Sequence, residues 1–133
     1  MMGAFKRLHG LAPQVASFAI SGGLAFLVDG GVLWALTAAS VPPLIGRVFS
    51  IFVAIVCTWV FNRSLTFRTT SGPSFAEFGK YLAISLAGSA INYTIFSIVV
   101  LLGAHLVVGL VLGTVVAATF NFVRYRKLLD RPK

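Results

Sequence analysis

The chain has 133 residues, 58% of them hydrophobic and 11% charged, with mean hydropathy +0.95 and net charge +8. A soluble domain carries about 45–50% apolar and about 25% charged residues, and one this small cannot hide so much apolar surface from water. The composition therefore describes one compact integral membrane domain over 1–133, and the basic balance reads as a topology signal rather than a nucleic-acid footprint.

Little else in the composition suggests chemistry. Cys57 is the single cysteine, and the histidines are His9 and His105, so neither a disulfide framework nor a metal-ligand spacing is present. No acid, base and nucleophile set converges. No cofactor, no nucleic-acid partner and no enzymatic activity are expected.

A helix needs about 20 apolar residues to cross the hydrocarbon core. Four stretches qualify, at about 16–38, 44–61, 81–102 and 106–123. Their continuous apolar runs exclude alternating strands, so the expected fold is an all-α membrane protein of four transmembrane helices. The first stretch follows Lys6 and Arg7 but is longer than a signal-peptide core, which marks it as a retained helix. Between the second and third stretches, "SGP" breaks the chain, and Ser74 to Glu77 has the spacing of a capping box. The third helix is thus expected to begin near Ser74, with Phe75 and Phe78 at the membrane interface.

The links "TAASVPPL" and "GAH" carry no lysine or arginine. Lys6 and Arg7 lie at the N-terminus, Arg63, Arg68 and Lys80 in or beside the central connection, and the C-terminus carries Arg124, Arg126, Lys127, Arg131 and Lys133. By the positive-inside rule both termini and the central connection are cytoplasmic. Arg47 is the one basic residue outside this pattern.

Shifting the chain by 63 residues aligns 18–65 with 81–128 without a gap, leaving 66–80 as a cytoplasmic linker. Gly46, Ser50 and Ala54 then match Gly109, Gly113 and Ala117, small residues at every fourth position that let helix backbones approach in lipid. Ala25 and Asp29 match Gly88 and Asn92. The chain reads as two helical hairpins of the same orientation, the parallel kind of repeat. Its small-residue faces serve either packing within one chain or a homodimer.

Asp29 lies about 20 Å into the first helix at 1.5 Å per residue. A lone carboxylate at that depth is costly and usually paired. Arg47 lies at similar depth on the second helix, so the two are expected to pair or to share a ligand, as a structural lock or as a functional relay with Asn92. The glycines flanking Asp29 read as room for close helix approach. Trp34 reads as an interface anchor. At the opposite ends of the second and fourth helices, "TWVFNRSLTF" and "NFVRYRKL" place Asn62, Arg63, Asn121, Arg124 and Arg126 on the same side as Lys80. These groups suit a phosphate, which arginine binds with two parallel hydrogen bonds, or anionic lipid headgroups.

These motifs resemble the GtrA-like family of small four-helix membrane proteins, whose second and fourth helices end in a pattern like N-F-x-x-N-R-x-W-x-F. Here Thr58 and Trp59 replace its first two positions, Asn62, Arg63 and Phe67 match, and Leu65 stands for the tryptophan. In the second copy Asn121, Phe122 and Arg126 match and Tyr125 replaces the second asparagine. Gly22, Gly23, Val28 and Asp29 resemble the family's first helix. The resemblance implies a multi-pass protein of a prokaryote's cytoplasmic membrane that flips a polyprenyl-phosphate-linked sugar for cell-surface polysaccharide synthesis, beside a glycosyltransferase partner. On that basis Arg63, Arg126, Asn62, Asn121, Lys80 and Arg124 would hold the lipid phosphate and headgroup. A non-transporting adaptor for such a transferase is the alternative, and a small proton-coupled efflux transporter is a third reading.

Overall fold

The computed structural model describes residues 2–130, with side-chain surroundings from Gly10 onward. The side chains of Lys6, Arg7 and His9, and all of Arg131 and Lys133, lie outside the described residues. Four α-helices follow one another: α1 (Met2–Ala38), α2 (Pro43–Phe61), α3 (Phe75–Leu101) and α4 (Leu106–Leu129). Each contains a segment long and apolar enough to cross a membrane, and no strand occurs among the described residues.

Three helix ends differ from the sequence expectation. The first helix runs back through Pro13, a residue that removes one rung of the ladder without ending the helix here. The second continues past Phe61 as a π-helical turn, Asn62–Thr66. The fourth extends to Leu129, because the charged residues after Val123 are good helix formers. By contrast, the expected cap of the third helix is present: Ser74 Oγ accepts from the Glu77 amide at 3.1 Å. Phe75 beside it is fully exposed.

The described residues fold as two compact units that divide between Thr70 and Ser71. In the first, α1 packs against α2 and the π-turn; in the second, α3 packs against α4. Lipid tails are as apolar as leucine, so helix pairs in a membrane are held by close van der Waals packing rather than by hydrophobic burial. The contact faces are accordingly built largely of small residues, with Tyr81, Tyr125, Leu128 and Leu129 buried at one end of the second unit. Gly46, Ser50 and Ala54 are the buried residues of α2, and Gly109, Gly113 and Ala117 are buried in α4. Large apolar side chains such as Phe26, Leu44, Val48, Leu110 and Val115 point outward, the arrangement that lipid favours.

Each hairpin closes through the same turn. After α1, the Ser40 amide donates to Thr37 O and the Val41 amide to Leu36 O, both at 3.0 Å. After α3, the Gly103 amide donates to Val100 O at 3.0 Å and the Ala104 amide to Val99 O at 3.2 Å. These are Schellman closures, whose pivot residue is left-handed and normally glycine. Gly103 has φ 91°, whereas Ser40 holds φ 67° with a side chain. Relieving that strain outweighs the added chain entropy, so Ser40→Gly is expected to stabilise the protein by about 0.5–1 kcal/mol. Gly103→Ser is expected to cost a similar amount. Denaturant titration in detergent reads both.

Candidate functional site

The first constellation lies near the closed end of the first hairpin. Gly46 lets α2 settle against Leu33 and Leu36 of α1; a Cβ there would lie 3.4 Å from Leu33 Cδ1. That close approach brings the next residue, Arg47, over α1. Its Nη1 donates to Asp29 Oδ2 at 2.6 Å. Asp29 is the more enclosed partner, its side chain 22% exposed against 50% for Arg47. The neighbouring Ser50 hydroxyl donates to Arg47 O at 3.0 Å and leaves the guanidinium to the acid. Only one carboxylate oxygen is engaged: Asp29 Oδ1 is buried and has no hydrogen-bond partner.

The glycines around Asp29 do not provide the helix contact expected of them. A Cβ added at Gly22, Gly23, Gly30 or Gly31 would meet open space. The close approaches come from glycines of α2, α3 and α4 instead.

In the second unit, the position matching Asp29 carries a neutral amide used for packing. Asn92 lies over Gly113, where a Cβ would collide with its carboxamide and come within 2.9 Å of its backbone oxygen. Asn121 lies over Gly88 in the same way. Its Oδ1 is buried without a hydrogen bond, enclosed between the helices rather than displayed at their end. Nearby, Ser85 donates to Tyr81 O at 2.9 Å. The Ser85 and Tyr125 hydroxyls are hydrogen-bonded to each other at 2.5 Å. The rings of Tyr81 and Tyr125 stack with centroids 4.1 Å apart and planes 12° apart. Sequence reasoning missed this stack, although the 63-residue offset places Tyr125 opposite Asn62.

The open ends of the two hairpins differ. In the first unit Asn62 and Arg63 are buried in the π-turn. Thr66 Oγ1 donates to Asn62 Oδ1 at 2.9 Å, and the Ser17 hydroxyl meets Thr66 Oγ1 at 2.8 Å. The Arg63 guanidinium carbon stands 6.0 Å from the centre of the Trp59 ring, within cation–π range. In the second unit Arg126 is displayed instead, its Nε 3.6 Å from Asp130 Oδ2. It lines an open groove of about 360 Å³ together with Phe122, Val123, Lys127 and Asp130. Lys80 and Arg124 are exposed.

No group of three or more metal-ligating side chains occurs among the described residues. The chemistry on offer is therefore ionic and hydrogen-bonding: a half-engaged carboxylate, an arginine held against it, and cations at the open ends.

Residues 17–129 match the family described as "GtrA/DPMS, transmembrane domain". A dolichol-phosphate mannosyltransferase of Pyrococcus furiosus is 24% identical over 116 residues, 86% of this chain and 33% of its own length. An uncharacterized membrane protein of Bacillus subtilis, YngA, is 30% identical over 100 residues, 75% of this chain and 68% of its own length. The chain thus spans about a third of the mannosyltransferase and about two thirds of the Bacillus protein.

Proposed function

The chain belongs to the GtrA/DPMS transmembrane-domain family, and from that premise we propose that it carries a polyprenyl-phosphate-linked sugar across the cytoplasmic membrane of a prokaryote. In this reading the chain catalyses no bond change. It acts as a homodimer or beside a glycosyltransferase, with its termini and the 66–80 connection cytoplasmic.

The physical problem is the headgroup. The polyprenyl tail stays in lipid, but each sugar hydroxyl stripped of water without a partner costs roughly 2–7 kcal/mol. A translocator must offer replacement partners at depth. The observation that carries the proposal is Asp29: one oxygen holds Arg47 at 2.6 Å, and the other is buried without a partner. That free acceptor suits a sugar hydroxyl, while Arg47 suits a phosphate through its planar fork. The arriving headgroup would exchange the internal ion pair for contacts of the same kind. The displayed Arg126 supplies first capture of the phosphate, and the buried Arg63 keeps the open end of the first hairpin cationic.

The adaptor reading is favoured by one finding: the mannosyltransferase of Pyrococcus furiosus shares its similarity with this chain over only a third of its length. There such a segment accompanies a transferase. A reconstitution experiment separates the two readings. Purified protein in vesicles with a labelled polyprenyl-phosphate sugar is expected to make the label in both leaflets accessible to a membrane-impermeant reagent. An adaptor would leave the inner-leaflet label protected and would bind a transferase stably.

A further inference from the structure

A second cavity lies at the open end of the first unit, away from the Asp29–Arg47 pair. Its volume is about 420 Å³, within the roughly 300–1,000 Å³ of small-molecule sites. Gly10, Pro13, Gln14 and Ser17 of α1 form one wall. Leu65, Thr66, Phe67 and Arg68 form the other.

The π-turn builds this second wall. The Phe67 amide donates to Asn62 O at 2.8 Å and the Thr69 amide to Arg63 O at 2.6 Å, so the chain bulges before leaving the helix. Such turns are rare and frequently sit at functional sites. Arg68 follows in the left-handed region, at φ 48°, and is exposed at the rim.

Gln14 carries an amide that can both donate and accept, whereas the two hydroxyls of the walls are more restricted. Thr66 Oγ1 donates to Asn62 Oδ1, so in its 2.8 Å contact with Ser17 the serine must be the donor. Both hydroxyl protons are therefore spent inside the protein. What Ser17 and Thr66 retain toward the cavity are oxygen lone pairs, which accept only. Arg68 has the opposite character, five donors and no acceptor. A fitting ligand donates hydrogen bonds at one end and presents an anion at the other. A bare phosphate ester meets only the second requirement, whereas a phosphorylated sugar meets both.

We infer that this cavity binds the sugar-phosphate headgroup of the lipid, with the sugar hydroxyls donating to Ser17 and Thr66 and the phosphate on Arg68. The inference rests on the transport reading above and adds to it a site that prefers the glycosylated carrier over the bare one. Leu65, exposed beside it, lies where the isoprenoid chain would leave toward lipid.

Binding to the full chain in nanodiscs tests this, using a polyprenyl-phosphate sugar and the same polyprenyl phosphate without its sugar. Wild type is expected to bind the glycosylated lipid more tightly. Arg68→Gln should weaken both ligands about ten- to a hundredfold, the usual worth of a charge-assisted bond. Ser17→Ala should reduce the preference for the glycosylated lipid severalfold and leave the bare lipid unchanged. Unfolding midpoints of Arg68→Gln and Ser17→Ala that match wild type exclude misfolding as the cause. If wild type binds and transports, and Arg68→Gln and Ser17→Ala match it on both ligands, the cavity assignment falls and the transport reading stands. If wild type binds neither lipid and moves none, both fall together.

Discussion

Asp29→Ala is expected to lower stability by about 1–3 kcal/mol and to reduce transport about ten- to a hundredfold. The first effect arises because Arg47 loses the counter-ion 2.6 Å away while remaining on an apolar helix. An arginine at the centre of a membrane helix costs roughly 2.5–3.5 kcal/mol, and its long side chain recovers part of that by reaching toward the interface. The second effect is the worth of one charge-assisted hydrogen bond to a passing headgroup. Removing both charges separates the two. Asp29→Ala combined with Arg47→Leu should return stability to within about 1 kcal/mol of wild type, since replacing both partners of an enclosed ion pair by apolar groups is often neutral or stabilising. Transport should stay lost. A pair that only locks the hairpin would instead regain transport together with stability. Denaturant titration in detergent and a vesicle flux assay, run on the same preparations, read the two quantities.

Gly113→Ala is expected to be among the most destabilising single-methyl changes, at the upper end of the roughly 1–3 kcal/mol typical of overpacking or beyond it. Its Cβ would meet both the Asn92 carboxamide and, at 2.9 Å, the Asn92 backbone oxygen. A side chain can swing aside, but a helix carbonyl moves only with its helix. For Gly88→Ala the nearest atoms all belong to the Asn121 carboxamide. Asn121→Ala should therefore rescue Gly88→Ala almost fully, while Asn92→Ala should rescue Gly113→Ala only in part. Gly22→Ala and Gly30→Ala face open space and are expected to be neutral or slightly stabilising, because alanine is the better helix former. Unfolding midpoints across these variants check the order.

Much of this layout was legible from residue order because the governing signals are local. Four apolar runs of membrane-spanning length predict four helices whatever they pack against. The Ser74–Glu77 spacing reads as a cap because both members sit within one helical turn. Asp29 and Arg47 could be paired because a short link fixes how far each lies from the hairpin's closed end.

What escaped the sequence reading depends on side-chain direction or on competing backbone bonds. Whether Asn62 closes an α- or a π-turn is decided by which carbonyl the Phe67 amide selects, and no residue type marks that choice. Asn62 and Arg63 of the helix-end motif lie buried in that turn. Asn121, expected at a lipid headgroup, lies instead against Gly88, a contact set by the rotation of α4 about its own axis. Glycines 22, 23, 30 and 31 drew attention by their number, yet the close contacts belong to Gly46, Gly88, Gly109 and Gly113. Composition ranks glycines equally; only the facing helix distinguishes them.

The central claim is that Asp29 and Arg47 take part in carrying a lipid-linked sugar across the bilayer. The most direct test is the initial rate of transbilayer movement of a labelled polyprenyl-phosphate sugar in proteoliposomes, comparing wild type with the folded variant lacking both charges. The account predicts rapid movement with wild type and a rate at the protein-free background for the variant. Equal rates from the two, with both proteins folded and present at the same density, would contradict it.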